Sequence, residues 1–91
     1  MHVIVHHDVK DPEHFFADVP SVAQNAPPGV HPRMFCPGRD TTTAVCLWQA
    51  ESIEAVRAYL DETTGSSAVN TYFEVDDDAA IGLPTAASVN S

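Results

Sequence analysis

The chain has 91 residues, of which 44% are hydrophobic and 19% charged, a balance typical of a folded domain rather than of a disordered segment. Four basic and thirteen acidic residues give a formal net charge of -9, and such a surface repels the phosphates of nucleic acids. No apolar stretch is long enough to span a membrane, and the N-terminus lacks the features of a signal peptide. We therefore expect a single cytoplasmic domain over residues 1–83, with a flexible C-terminal tail at 84–91 and no nucleic-acid or membrane partner.

The first predicted element is a strand over residues 2–9, HVIVHHDV, which is short and rich in β-branched residues. Because side chains alternate between the two faces of a strand, His7 falls on the face with the valines and His6 on the opposite, mixed face. Two adjacent histidines therefore cannot clamp one ion together, and only one of them can point into a given cavity.

A helix is predicted next, because Asp11 can cap its first turn and Pro12 suits its first position. This helix is expected to end near Pro20, since proline removes a backbone donor from a helix interior. A second short helical turn is predicted over residues 21–26, and the Pro-Pro-Gly sequence at 27–29 predicts a bend in the connection.

Two strands follow. Residues 30–36, VHPRMFC, predict a strand at a sheet edge, because Pro32 cannot donate to a β-ladder. A turn-like sequence then leads into residues 43–50, TAVCLWQA, which are apolar on both faces, as expected of an interior strand. The two strands are expected to pair antiparallel in a register that offsets Cys36 from Cys46, so no disulfide is predicted.

A second long helix and a last strand complete the predicted sheet. Ser52 can cap the helix and Gly65 supplies its end. Residues 68–75, AVNTYFEV, have the β-branched and aromatic content of a strand, in which Tyr72 and Glu74 share the more polar face.

The order strand, helix, strand, strand, helix, strand predicts a ferredoxin-like α+β fold, in which two helices cover one face of a four-stranded antiparallel sheet. The acidic triplet at 76–78 is expected to begin a further short helix that ends near Gly82. Strand 43–50 is also apolar on the face that the helices do not cover. We therefore expect a homodimer in which two copies pack these faces into a dimeric α/β barrel.

Candidate site residues lie on three of the predicted strands. The candidate ligands for a divalent transition metal are His6, His7, Cys46 and Glu74. Imidazole and thiolate favour nickel, zinc or copper over magnesium. Each residue also has a structural explanation, because strand-end histidines are often solvated, free cysteine is a common core residue and an exposed His–Glu pair is a surface ion pair. Trp48 and Tyr72 are the candidate walls of a ligand pocket in the barrel or beside the sheet.

The segments VCLWQAESIEAVRAYL and TYFEV resemble the central strand, second helix and last strand of a family of small ferredoxin-like proteins, some of which are described as nickel-binding. The matching positions are His6 or His7, Cys46-Leu47, Glu54-Ala55 and Phe73-Glu74-Val75. The resemblance implies the same fold and a metal site that includes one of the histidines. Members of that family often carry a histidine just before the glycine that ends the second helix, where this chain has DETTG at 61–65.

Three functions remain open at this point. The first is a small dimeric protein that binds a nickel-like metal or another small ligand. The second is a cofactor-independent monooxygenase or a small isomerase, with an apolar pocket shaped by Trp48, Tyr72 and a histidine. The third is a non-catalytic binding or regulatory module. The sequence has no phosphate loop, nucleophile elbow, paired CxxC or HExxH motif, and it indicates no organic cofactor.

Overall fold

The computed structural model describes residues 1–84, and the predicted tail lies outside them except for its first residue. The elements are β1 (His2–Val9), α1 (Pro12–Gln24), β2 (His31–Pro37), β3 (Thr43–Gln49), α2 (Ile53–Thr64) and β4 (Ala68–Glu74). The four strands form one antiparallel sheet in the order β2-β3-β1-β4. This arrangement confirms the predicted ferredoxin-like α+β fold. Within residues 1–84, no helix combines the length and the apolarity needed to cross a bilayer.

The hydrophobic core lies between one face of the sheet, here called the covered face, and the two helices. Val3 and Val5 of β1 pack there with Val56 and Leu60 of α2, and all four are almost fully buried. A second buried cluster joins Phe15 of α1 to the sheet. Both helices therefore bury their apolar side on the same face, as the predicted fold requires.

Local sequence signals fix where the helices begin. The Asp11 carboxylate accepts the backbone N–H of His14 at the start of α1. The Ser52 hydroxyl accepts the backbone N–H of Ala55 at the start of α2. Each cap satisfies one of the donors that a helix N-terminus leaves unpaired, so both predicted starts are confirmed.

The predicted end of the first helix is wrong, because α1 runs through Pro20 to Gln24. Proline has a helix-compatible φ and costs one backbone hydrogen bond, which tertiary contacts beyond it can offset. Val22 supplies such contacts: its side chain packs against the core and its carbonyl accepts the Tyr59 hydroxyl at 2.7 Å. Packing against α2 therefore holds the last turn of α1 in place.

The short helix predicted after β4 is not formed either. The Asp76 carbonyl accepts the backbone N–H groups of Ala79 and Ala80, which closes one turn. Three adjacent carboxylates at 76–78 repel one another, and the segment is almost wholly exposed, so no packing extends the turn.

The opposite face of the sheet, here called the open face, is covered by no helix of residues 1–84. Leu47 lies at its centre and is only 4% exposed. Met34 and Phe73, which are 44% and 53% exposed, lie in the same row across the strands as Leu47. Val69, which is 57% exposed, lies beside Asp8 at the start of β4. The structure thus confirms that β3 is apolar on both faces.

Candidate functional site

A pocket of about 250 Å³ opens on the covered face, between α1, the edge strand β2 and the underlying strand β3. Its walls are mostly apolar and include Phe15, Val19, Phe35, Trp48 and Leu60. Ala23 of α1 lines the pocket and is itself exposed, which places it at the mouth. An apolar cavity of about 150 Å³ accommodates benzene, so this volume suits one or two fused rings.

The floor of the pocket holds a close contact between His7 of β1 and Cys46 of β3. The register of the sheet pairs Val5 with Cys46, which makes the two residues diagonal neighbours on the covered face. The distance between His7 Nε2 and Cys46 Sγ is 2.7 Å. Both side chains line the pocket although they are 1% and 7% exposed. One of the two candidate histidines therefore contacts the candidate ligand Cys46.

Asn70 determines which way the protons point in this contact. Its Nδ2 atom donates to the Thr64 hydroxyl at 2.9 Å, while that hydroxyl donates to the Leu60 carbonyl at 2.7 Å. The Asn70 Oδ1 atom, 2.6 Å from His7 Nδ1, must therefore accept from His7. With its proton on Nδ1, the imidazole has a lone pair on Nε2, so the Cys46 thiol donates to it.

Burial keeps both groups uncharged. It lowers the pKa of His7, although the hydrogen bond to Asn70 opposes the shift and the neighbouring His6 adds to it. Burial raises the pKa of the Cys46 thiol to about 12, against an opposing effect of the Trp48 indole N–H. At neutral pH the pair is consequently a neutral thiol bonded to a neutral imidazole.

Trp48 is the one side chain of the predicted pocket pair that lines this pocket. It is 3% exposed, and its ring packs edge to face against Tyr59 at 6.1 Å between centroids. Its indole Nε1 is buried and has no hydrogen-bond partner within residues 1–84. A buried donor without an acceptor costs about 1–3 kcal/mol, so a donor of this kind beside a pocket needs an explanation.

Tyr72, the other predicted pocket residue, lies outside the pocket walls and contacts α2 instead. Its hydroxyl donates to the Asp61 carboxylate at 2.6 Å, and the Arg57 guanidinium lies 5.2 Å from its ring centre. Burial, together with the hydrogen bond to Asp61, raises the pKa of Tyr72. Tyr72 is thus a neutral tether between β4 and α2.

The four predicted metal ligands are not brought together. His6 is exposed on the open face, opposite His7. Glu74 is exposed and pairs with Val3, four residues along β4 from Asn70 and hence roughly 13 Å away along the strand. Within residues 1–84, no three His, Cys, Asp or Glu side chains are grouped to hold a metal ion. The alternation of side chains along β1 places His6 on the face opposite His7 and Cys46. The register of β4 places Glu74 too far along the strand to reach them.

The distance between His7 and Cys46 can also be compared with the distance expected if both side chains bound one metal ion. A nitrogen and a sulfur bound to one tetrahedral zinc ion are about 3.5 Å apart, given the usual bond lengths. The 2.7 Å between Nε2 and Sγ is shorter, so the two atoms are in direct contact. A metal here would have to separate the two side chains.

The sequence analysis did not identify Asn70, which orients His7, or Thr64, which orients Asn70. The alternation of β4 placed Asn70 on the face it shares with Tyr72 and Glu74, and that was the available signal. Its pairing with His7 depends on the register of β4 on β1, which the sequence did not determine.

The fold is shared with a solved structure from Nitrosomonas europaea that is described as a "putative antibiotic biosynthesis monooxygenase". The two chains are 16% identical with a TM-score of 0.56, and the alignment covers 84% of this chain and 99% of the other. No protein-family model and no curated protein sequence matches this chain. At this identity the likeness shows the fold alone, and the resemblance to nickel-binding proteins stays a prediction.

Proposed function

We propose that the pocket binds a small aromatic molecule and that the protein is an enzyme of the cofactor-independent monooxygenase kind. The observation that carries the proposal is an apolar pocket of about 250 Å³ whose walls enclose one neutral His7–Cys46 pair. Pockets of this make-up, with apolar walls and a few convergent polar atoms, are typical small-molecule sites. The printed description of the Nitrosomonas europaea protein, which shares the fold, agrees with this class.

The chemistry of the pair suits a substrate with an acidic hydroxyl, such as a hydroxylated naphthalene. Because burial lowers the pKa of His7, its imidazole is in the basic form at neutral pH. It accepts the substrate proton at Nε2, either directly or through the Cys46 thiol, while Asn70 stabilises the charged ring. The deprotonated, electron-rich ring then reacts with dissolved O₂: one oxygen atom enters the ring, the other leaves as water, and oxidation of the ring to a quinone supplies the electrons.

Binding is tested by nuclear magnetic resonance with 1-naphthol as the probe. We expect amide shifts to cluster around the pocket, and we expect Ala23→Phe, which fills the mouth, to abolish them. Ala17→Phe makes the same change at an exposed position of α1 outside the pocket, and should leave the shifts intact. Shifts confined to the open face, or unchanged by Ala23→Phe, would contradict the proposed pocket.

Turnover is tested with 1,4-naphthalenediol in an oxygen electrode, after subtraction of the rate without protein. The enzyme proposal expects O₂ consumption that Ala23→Phe removes and Ala17→Phe retains. If 1-naphthol binds but O₂ consumption stays at the background rate, the third function, a non-catalytic binding module, is the better description.

Metal binding is the second candidate, favoured by one observation: His7 and Cys46 place a nitrogen and a sulfur side by side. Nickel, zinc or copper bound there would need further ligands from solvent. Elemental analysis of untagged protein tests this candidate. Stoichiometric metal that disappears in His7→Gln supports it, and metal-free protein after incubation with nickel and zinc contradicts it.

We also propose that two copies associate through the open face. Three of the five exposed large apolar side chains within residues 1–84 lie on this face: Met34, Val69 and Phe73. Two of them, Met34 and Phe73, lie in one apolar row across the four strands with Ile4 and the nearly buried Leu47, whereas Val69 lies apart beside Asp8. A second copy is the occupant that fits best, because an antiparallel sheet of this size can pair its apolar face with itself about a two-fold axis.

A further inference from the structure

The Cys46 thiol is the part of the pocket that proton transfer alone leaves unexplained. Its hydrogen donates to His7 Nε2 at 2.7 Å, and His7 Nδ1 donates to Asn70 Oδ1 at 2.6 Å. A thiol, an imidazole and an amide in this order are the arrangement by which proteins activate a cysteine nucleophile. The amide is held in turn by Thr64, so the imidazole cannot easily rotate away from the sulfur.

Trp48 forms a wall beside the same sulfur. It lies two residues from Cys46 on β3, on the same covered face, and both residues line the pocket. The N–H has no hydrogen-bond acceptor within residues 1–84. Its Nε1 atom is itself buried, so a bound molecule contacts the indole ring rather than this N–H.

We propose that Cys46 captures quinones and related conjugated carbonyl compounds covalently in this pocket, with His7 as its base and the Trp48 ring as a wall beside the sulfur. The proposal rests on the proposed function only in that the molecule must enter the same pocket. It assigns Cys46 a role of its own, distinct from relaying a substrate proton.

The step balances without an added oxidant or reductant. The Cys46 sulfur forms a bond to the β-carbon of the conjugated system, and the π electrons of the C=C bond move to the carbonyl oxygen. The thiol proton passes to His7 Nε2 and is then delivered to the resulting oxyanion. With a quinone, the hydrogen on the carbon that now carries the sulfur then moves to the second carbonyl oxygen, which gives the thioether of the hydroquinone.

A conjugated carbonyl fits this site better than an ester or thioester. Acyl transfer expels a leaving group and is usually supported by oxyanion donors that point into the site, whereas the Trp48 N–H is buried. Conjugate addition expels nothing, which suits a pocket of about 250 Å³. The rings of Phe15 and Trp48 also give the walls flat surfaces against which a planar molecule can pack.

The neutral resting pair determines the kinetics to expect. A buried thiol that holds its proton reacts slowly with reagents in solution, because the thiolate is the nucleophile. Here the thiol proton moves to His7 only when the sulfur forms a bond to an electrophile that is already bound in the pocket. The addition rate should therefore saturate with the concentration of the electrophile, since binding precedes the chemical step.

The test uses the Cys36→Ser protein, because Cys36 is exposed and would react on its own. This protein is incubated with 1,4-naphthoquinone under nitrogen, and adduct formation is followed by intact-protein mass spectrometry with peptide mapping. We expect one adduct per chain, on Cys46, with a rate that saturates in naphthoquinone. His7→Gln in the same background should slow the step about 100-fold, the usual contribution of a general base.

His31→Gln is the matched control, since this histidine is exposed on the edge strand β2 and should leave the rate unchanged. A parallel series in urea separates the site from a merely buried thiol. If modification occurs only as the chain unfolds, with a rate that rises with urea and does not saturate in naphthoquinone, the proposal is overturned. This kinetic criterion needs no variant at position 7, so it holds even if His7→Gln fails to fold.

Competition by 1-naphthol distinguishes this proposal from the proposed function. If 1-naphthol binds in the pocket and naphthoquinone leaves Cys46 unmodified, the binding pocket is supported and the role of Cys46 as a nucleophile is contradicted. If naphthoquinone adds to Cys46 with a saturating rate and 1-naphthol suppresses the addition, the role of Cys46 as a nucleophile is supported whether or not O₂ is consumed. Modification of Cys46 at the same rate with and without His7 would remove the base from the proposal.

Discussion

At the scale of single residues, the amide of Asn70 decides the chemistry of the pocket. Its Nδ2 atom is committed to oxygen acceptors on α2, so its Oδ1 atom faces His7. That fixes the His7 tautomer and makes the Cys46 thiol a donor rather than an acceptor. One side chain of β4 thus sets the proton positions of two others on β1 and β3.

The titration of His7 gives a prediction about stability. Because burial lowers the pKa of His7 below 6.5, the unfolded chain binds a proton at a higher pH than the folded chain does. The free energy of unfolding should therefore fall as the pH decreases through 6.5 towards 5. The slope due to His7 is at most about 1.4 kcal/mol per pH unit, the value for one proton.

Urea denaturation at a series of pH values measures this slope. His7→Gln should be less stable at pH 7, because it disturbs the contacts with Cys46 and Asn70, and should show a flatter dependence on pH. His31→Gln removes a histidine that is exposed on the edge strand, so it should retain the slope of the unmodified protein. An unchanged slope in His7→Gln would show that other groups cause the acid sensitivity.

At the scale of elements, local signals predicted the starts of α1 and α2 and the positions of all four strands. Asp11 and Ser52 cap the helices as their sequence context indicated. The end of α1 was not predictable in this way, because Pro20 is a strong local stop signal that contacts of Val22 and Tyr59 override. Packing partners distant in sequence decided this boundary.

Pro20 itself provides a prediction for α1. Replacing it by alanine restores the N–H that a helix needs at this position and removes the clash with the preceding turn. Alanine also increases the conformational entropy of the unfolded chain, and this offsets a smaller part of the stabilisation. We expect Pro20→Ala to raise the free energy of unfolding by about 2 kcal/mol.

Equilibrium denaturation in urea tests the effect of Pro20→Ala. Asp18→Ala, at another exposed position of α1, is the control and should change stability by less than about 0.5 kcal/mol. A neutral or destabilising Pro20→Ala would mean that α1 ends before residue 20 in solution.

The candidate site was predictable in part. Strand alternation alone placed His7 and Cys46 on apolar faces, and the order of the strands made β1 the neighbour of both β3 and β4. Whether His7 would meet Cys46 or Glu74 depended on the registers of β3 and β4 on β1. The hydrophobic pattern of a strand indicates which face each side chain occupies, but it does not determine the position of the strand along its neighbour. The pocket depends on the fit of α1 over β2, which no local pattern describes.

At the scale of the whole molecule, charge and apolar surface act against each other. The chain carries a formal net charge of -9, so two copies repel at a distance. The open face offers apolar contact that acts only at close range, along the row of Ile4, Leu47 and Phe73. Added salt screens the repulsion but leaves the contact, so the proposed dimer should become tighter as ionic strength rises.

Phe73→Glu is the sharpest test of the dimer. Phe73 is 53% exposed on the open face, and a carboxylate there would face an apolar partner surface without a counter-charge. We expect the unmodified protein to sediment with twice the chain mass of 9.8 kDa and Phe73→Glu to sediment as a single chain. Ile81→Glu makes the same change of polarity and charge at a residue that is 99% exposed beyond β4, and it should remain dimeric. If Phe73→Glu and Ile81→Glu behave alike, or if salt weakens the association, the open face is not the contact between the two copies.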